Sequence, residues 1–308
     1  MDALNRRTFL GAAALAASNL RGASAPSKII DTHAHFYDPS RPQGVPWPPK
    51  DDARLYRTVL PEEYRRITAP LGIKRVIEVE ASPLLEDNQW VLDLAVKEPI
   101  IIGTVGDLEP GKPGFGRNLE RFHKDQRFLG IRLGNLWGRN LAAEAPKPEF
   151  IADLKLLAQA GLEMDAVGGP AILGEVVRIT DQVPTLRIVI DHMPFLPPRE
   201  EAAQAPYRSA LRELGKRPQV YSKVSSVLRR AGDRVVEDVS LYRPALDELW
   251  DLFGADRLIY GSNWPVSERI APYEAVFKVV REYFASRGPE ASEKYFWKNS
   301  QAAYRWSA

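Results

Sequence analysis

Lys28-Ile29-Ile30-Asp31-Thr32-His33-Ala34-His35 is the stretch whose reading decides the fold. A short apolar, β-branched run leads into two histidines spaced i, i+2. In a strand, alternate side chains point to the same face. With Ile29 to His33 as a strand and His35 just past its end, both imidazoles converge on one place. The chain has only four histidines, and two of them stand here. Such a pair at a strand end is what a catalytic barrel presents at its mouth.

Seven further strand candidates follow: Arg75–Glu80, Ile100–Val105, Leu129–Leu133, Leu162–Val167, Leu186–Asp191, Val220–Val224 and Leu258–Tyr260. The run Arg187-Ile188-Val189-Ile190 is nearly continuous in apolar character, as expected of a strand buried on both faces of a parallel sheet. Helical patterns lie between the strands. Pro61-Glu62-Glu63-Tyr64 opens one, with a proline and acids suited to a first turn. Asp87–Lys97, Phe150–Ala160, Leu173–Val183, Tyr207–Lys216, Tyr242–Phe253 and Tyr273–Ser286 are the others. Eight strands alternating with helices predict a single (β/α)8 barrel. A doubly wound open sheet is the alternative, and the lack of a glycine-rich loop after the first strand weighs against it. The proline-rich segment Pro39 to Thr58 is expected to form a loop over the barrel mouth.

The 308 residues suffice for one such domain. Composition is that of a globular protein, 44% hydrophobic and 27% charged. The net charge of +2 comes without a long basic run, so nothing points to nucleic acid. The chain has no cysteine, which excludes disulfides, thiolate metal sites and a cysteine nucleophile. The body of the chain has no uninterrupted apolar stretch of about 20 residues, so no integral membrane domain is expected.

The first residues read as an address. Asn5-Arg6-Arg7-Thr8-Phe9-Leu10 precedes an alanine-rich apolar stretch and then Ala23-Ser24-Ala25, a small-x-small cleavage pattern. The adjacent arginines match a twin-arginine export signal. Residues 1–25 are therefore expected to be a signal and 26–308 the barrel, with the mature chain periplasmic or otherwise exported.

Chemistry in such barrels sits at the C-terminal ends of the strands. Read in order, these ends carry His33 and His35, Glu80, Asp107, Arg132, Asp165, Asp191 with His192, Lys223, and Asn263 with Trp264. The pieces Asp31-Thr32-His33-Ala34-His35, Gly130-Ile131-Arg132, Asp191-His192 and Gly261-Ser262-Asn263-Trp264-Pro265 together resemble the amidohydrolase superfamily. More narrowly they resemble its amidohydrolase-2 group of sugar lactonases and pyrone-dicarboxylate lactonases. Lys298-Asn299-Ser300-Gln301-Ala302-Ala303 is similar to the group's closing helix, and the resemblance spans about residues 28 to 305.

The resemblance implies a hydrolase that opens a small lactone by water attack. Metal-dependent members of the superfamily bind one or two divalent ions. Their ligands are the His-x-His pair, histidines after strands five and six, and an aspartate after strand eight. Some lactonase members work without metal, and in both kinds the strand-eight aspartate takes a proton from the water. This chain departs from the pattern twice. Strand five carries no histidine, which leaves His33, His35 and His192 as the set for one zinc; the expected cofactor is none or that single cation. The remaining histidine, His123, is expected on a helix surface. Asn263 stands where the aspartate is found, and a carboxamide cannot accept a proton. Either the site is inactive, or the base has moved to His192, His33, Glu80 or Asp165, or Asn263 only orients water or the carbonyl.

The expected catalytic set is thus His33, His35, His192 and Asn263. Glu80, Arg132, Asp165, Lys223 and Trp264 are expected to bind substrate, with Trp137 as a further aromatic wall. Arg132 suits a fork on substrate oxygens. Arg132 and Lys223 are equally suited to ion pairs inside the barrel, and Asp191 to orienting its neighbours. The alternatives are a metal-dependent amidohydrolase or decarboxylase of the same superfamily, and a non-catalytic ligand-binding barrel. The expected partner is a small-molecule substrate; oligomeric state is not readable.

Overall fold

The computed structural model describes residues 25–307, so the expected export signal lies outside the described residues except for Ala25. The eight expected strands all form: β1 Ile30–Ala34, β2 Arg75–Val79, β3 Ile101–Gly106, β4 Phe128–Gly134, β5 Glu163–Val167, β6 Arg187–Met193, β7 Val220–Val224 and β8 Leu258–Tyr260. They pair in chain order, every pair parallel. β8 meets β1 through the residues just past it. The His35 N–H donates to the Trp264 carbonyl at 2.9 Å and the Asn263 N–H to the His33 carbonyl at 2.8 Å. The result is the (β/α)8 barrel expected from the sequence.

The helices pack outside: α1 Pro61–Thr68, α2 Leu85–Lys97, α3 Phe115–His123, α4 Pro148–Gln159, α5 Leu173–Gln182, α6 Glu201–Gly215, α7 Val239–Phe253 and α8 Tyr273–Ser286. α1 begins at Pro61, with Glu62 and Glu63 in its first turn and Arg65 and Arg66 in its last, as the helix dipole favours. α6 starts six residues before the expected Tyr207. Pro206 lies inside it and removes one backbone hydrogen bond near its start. A two-residue hairpin, Arg230–Ala231 with Arg234–Val235, follows β7 and had no signal in the sequence. No helix of the described residues is long and apolar enough to cross a membrane.

The larger apolar core lies between strands and helices. A smaller cluster fills the barrel interior: Ile30, Ile77, Val79, Val105, Leu129, Val189, Tyr221 and Ile259. Only β5 gives that face no apolar side chain; its residues there are the buried acids Glu163 and Asp165. A last helix, α9 Asn299–Tyr304, closes the barrel floor; its Tyr304, and Trp306 just after it, join the interior cluster. The Asn299 amide ties it to β8 by donating to the Leu258 carbonyl at 2.8 Å.

Asp31, the first residue of the D-x-H-x-H motif, faces the other way. It accepts from the Ser262 N–H at 2.8 Å and the Ser262 hydroxyl at 2.6 Å, from Tyr64 of α1 at 2.8 Å and from Tyr273 of α8 at 2.8 Å. Burial pushes its carboxyl up, against these donors. Asp31 thus clamps β1 to the turn after β8, which fixes where His33, His35 and Asn263 stand.

Candidate active site

The strand ends surround a cleft of about 290 Å³ lined by His35, Trp47, Glu80, Arg132, Trp137, His192 and Asn263, with Ala81, Leu136 and Val266. Trp47 arrives on the 39–58 loop, which lies over the mouth as expected. Four non-glycine residues hold a left-handed backbone at this mouth: Trp137 (φ 55), His192 (φ 62), Ser226 (φ 52) and Asn263 (φ 59). Such conformations cost about 1–3 kcal/mol each and persist where the surroundings enforce them. Gly261 is required for close approach, because a Cβ there would meet His33 Cβ at 2.9 Å and the Lys223 stem at 3.1 Å.

Two hydrogen bonds decide where the imidazole protons sit. His35 Nδ1 lies 2.7 Å from the Val79 carbonyl oxygen, which only accepts, so Nδ1 carries the proton and Nε2 the lone pair. Arg132 Nη2 lies 3.2 Å from His192 Nε2, and a guanidinium only donates, so His192 Nε2 accepts. His192 Nδ1–H then donates to Ser225 Oγ at 2.9 Å. Burial lowers the His35 imidazole to about 4, with the Arg132 charge adding to it. Burial and the Arg132 charge lower His192 to about 3. Burial likewise holds His33 well below the usual range. All three imidazoles are neutral at pH 7.

Beneath the cleft lies a buried charged layer. Arg132 Nε donates to Asp191 Oδ2 at 2.9 Å, and Arg132 Nη1 stands 3.7 Å from Glu80 Oε1. Lys223 Nζ donates to Asp165 Oδ2 at 2.5 Å and pairs with Asp191 Oδ1 at 3.0 Å. Burial pushes the Asp191 carboxyl up, but Lys223 and Arg132 outweigh it and hold the group well below its usual range. Burial also pushes Glu80 up, against Arg132; its Oε2 accepts from Trp137 Nε1 at 3.0 Å. Asn263 donates to Ser226 Oγ at 2.8 Å and stands beside His35.

The structure brings His35, His192, Asn263, Glu80 and Arg132 to the cleft. His33, Asp165 and Lys223 lie fully buried, away from the lining. Trp264 also leaves the expected substrate wall. It is fully buried against Phe36 and Tyr64, and its Nε1 donates to Glu268 at 2.8 Å. The aromatic lining is Trp47 and Trp137 instead. Trp47, Ser225 and Ser226 had no signal in the sequence, because a loop's path over a barrel is set by tertiary packing. His123 is exposed, as expected.

The metal set differs from the expected one. Among the described residues, donor atoms of His33, Asp191 and His192 lie within 4.8 Å of one another, and His35 is not in the group. His35 has its Nδ1 committed to Val79, while Asp191 turns inward from the end of β6. His33 Nε2 is buried without a partner, as a ligand atom would be. The other donors already face cations: Lys223 and Arg132 on Asp191, and Arg132 on His192 Nε2. A resident dication does not fit this arrangement unless those two cations withdraw.

The sequence pattern of the amidohydrolase family matches residues 30–306. The chain belongs to this family. It is 28% identical over 286 residues to an L-fucono-1,5-lactonase of Burkholderia ambifaria, covering 90% of this chain and 95% of that one. Among solved structures it is similar to an amidohydrolase of Burkholderia multivorans with bound zinc (TM-score 0.79, 24% identity, 91% of this chain and 100% of that one). It is also similar to the probable 2-pyrone-4,6-dicarboxylic acid hydrolase of Acinetobacter baumannii (TM-score 0.72, 20% identity, 91% and 100%). This amidohydrolase-family chain therefore combines the family's barrel with an asparagine at position 263 and a cation-bearing layer under its cleft.

Proposed function

We propose that this protein hydrolyses a small, uncharged, sugar-type lactone. The observation that carries the reading is one cleft holding both an unprotonated imidazole nitrogen, His35 Nε2, and the Arg132 guanidinium. The similarity to L-fucono-1,5-lactonases supports the substrate class. So does the charge balance, since the one cation lining the cleft already faces Asp191 and Glu80. A dicarboxylate would enter without a free counter-charge. Trp47 and Trp137 offer apolar faces to a ring.

In this reading His35 Nε2 takes a proton from water as the water oxygen attacks the ring carbonyl. Asn263 orients that water. Arg132 stabilises charge on the carbonyl oxygen. The ring C–O bond then breaks, and His35 returns the proton to the departing ring oxygen, giving the hydroxy acid. Lys223 and Arg132 are the fixed positive charges of the site, and the reaction needs no metal.

Acid release from a panel of aldonolactones, followed with a pH indicator, tests the proposal. Turnover that is lost in His35→Ala supports it. Tight sugar-lactone binding without turnover favours the second reading, a binding barrel, which Asn263 motivates. We further propose export through residues 1–25. A reporter fused behind them should reach the periplasm, and the Arg6→Lys, Arg7→Lys double variant should not; equal export of both overturns the twin-arginine assignment.

A further inference from the structure

We propose that Tyr304, on the barrel-floor helix, is a positioning residue that acts through Asp165 and Lys223 to keep the proton of His33 on Nε2. The chain of contacts is continuous and buried. The Tyr304 hydroxyl donates to Asp165 Oδ1 at 2.8 Å, and Asp165 Oδ2 accepts from Lys223 at 2.5 Å. Lys223 Nζ in turn lies 3.3 Å from His33 Nδ1, and 5.5 Å above the Tyr304 ring. Tyr304, Asp165, Lys223 and His33 are all at most 1% exposed.

An ammonium has three donors and no lone pair. Lys223 can therefore only donate to His33 Nδ1, which puts the imidazole proton on Nε2. The alternative is Nδ1–H donating to Asp191 Oδ1 at 3.4 Å, the longer contact. That choice would aim an N–H at an ammonium 3.3 Å away, donor against donor. Asp191 Oδ2 accepts from Arg132 at 2.9 Å, and its Oδ1 is paired by charge with Lys223 at 3.0 Å.

The tautomer decides what His33 can do. With the proton on Nε2, His33 is a donor in a ring packed 4.9 Å from His35 and 4.5 Å from His192 between centroids. Among the described residues no group accepts that proton. In this tautomer His33 is a donor packed against the cleft histidines, and neither a base nor a ligand. Tyr304 enters because Asp165 has two neighbours to satisfy. Without the phenol, Asp165 is free to turn both oxygens to Lys223 and draw it from His33.

Full-length protein labelled with 15N-histidine tests this by long-range proton–nitrogen correlation spectra, with His33 assigned by single-histidine substitution. The expected result is a neutral His33 protonated on Nε2 in the wild type. Protonation on Nδ1 overturns the proposal. Tyr304→Phe keeps the ring and removes only the hydroxyl. It is expected to shift the His33 nitrogens and to lower kcat about tenfold, with KM within about twofold. An unchanged spectrum and kcat in that variant would remove Tyr304 from the relay. The kcat arm rests on the lactone reading. The spectrum does not, so the two failures are distinguishable.

Discussion

His35 Nδ1 stands 2.7 Å from the Val79 carbonyl oxygen, and this contact assigns the ring's proton. The lone pair on Nε2 then faces Asn263 and the cleft. His192 cannot take that role, because Arg132 occupies its Nε2. In the proposed reaction His35 is therefore the base that the asparagine cannot be.

His35→Ala is expected to lower kcat about 10²–10⁴-fold, the usual worth of a general base, with a smaller change in KM. Steady-state lactone hydrolysis beside a thermal melt checks this. Retained kcat in a folded variant would exclude His35 as the base.

Asn263→Asp places a proton acceptor beside His35, where Asn263 now donates to Ser226. A carboxylate favours a neighbouring imidazolium and can itself take a proton. The expected outcome is a rise in kcat of about tenfold at pH 8. A fall would show that the amide N–H is what the site uses at this position.

Arg132→Lys keeps the charge and loses the fork. One ammonium cannot reproduce the bonds of Nε to Asp191 at 2.9 Å and Nη2 to His192 at 3.2 Å. A loss of about 10²-fold in kcat/KM is expected. Turnover close to wild type would mean that Arg132 serves only as an internal ion-pair partner.

Dialysis against a strong chelator is expected to leave lactone turnover unchanged, because Lys223 and Arg132 face the donors a dication would need. Metal content and activity measured on the same sample check this. Activity that falls with chelation and returns with zinc would show the two cations giving way to a metal.

Glu78 carries the clearest pH signature. It is fully buried on β2, and burial raises its carboxyl from 4.5 to about 8, with Asp87 adding to it. Between those values the folded protein holds a proton that the unfolded chain has released. Stability is therefore greatest below about pH 4.5 as far as this group is concerned. It falls as pH rises towards 8 and levels off above. Glu78→Gln should remove this slope and stabilise the protein at pH 8 by a few kcal/mol, on the order set by such a shift. Urea melts of both proteins from pH 5 to 9 measure it, and parallel slopes would refute it.

Much of the fold was legible because periodicity and strand-end placement are local. A buried parallel strand such as Arg187–Met193 must be apolar along its length, and each expected strand formed within a residue or two. The same reasoning named His35, His192, Glu80, Arg132 and Asn263, since barrel residues at or just past the end of a strand stand at the mouth. It could not separate a strand-end residue that lines the cleft from one that sinks below it. Lys223 and Asp165 sink because each finds its counter-charge across the barrel, a partner 58 residues away in the chain. Trp264 turns outward because Phe36 and Tyr64 make room for it there.

The sequence by itself determined the barrel, the loop over its mouth and the residue types at each strand end, all of which follow from spacing along one segment. Only the tertiary structure decided which nitrogen of His35 and of His192 holds a proton, that Asp191 and not His35 joins His33 and His192, and that Tyr304 reaches Asp165 from the floor. Each of these depends on a hydrogen bond or ion pair between groups far apart in the chain, and only the folded barrel brings them within reach.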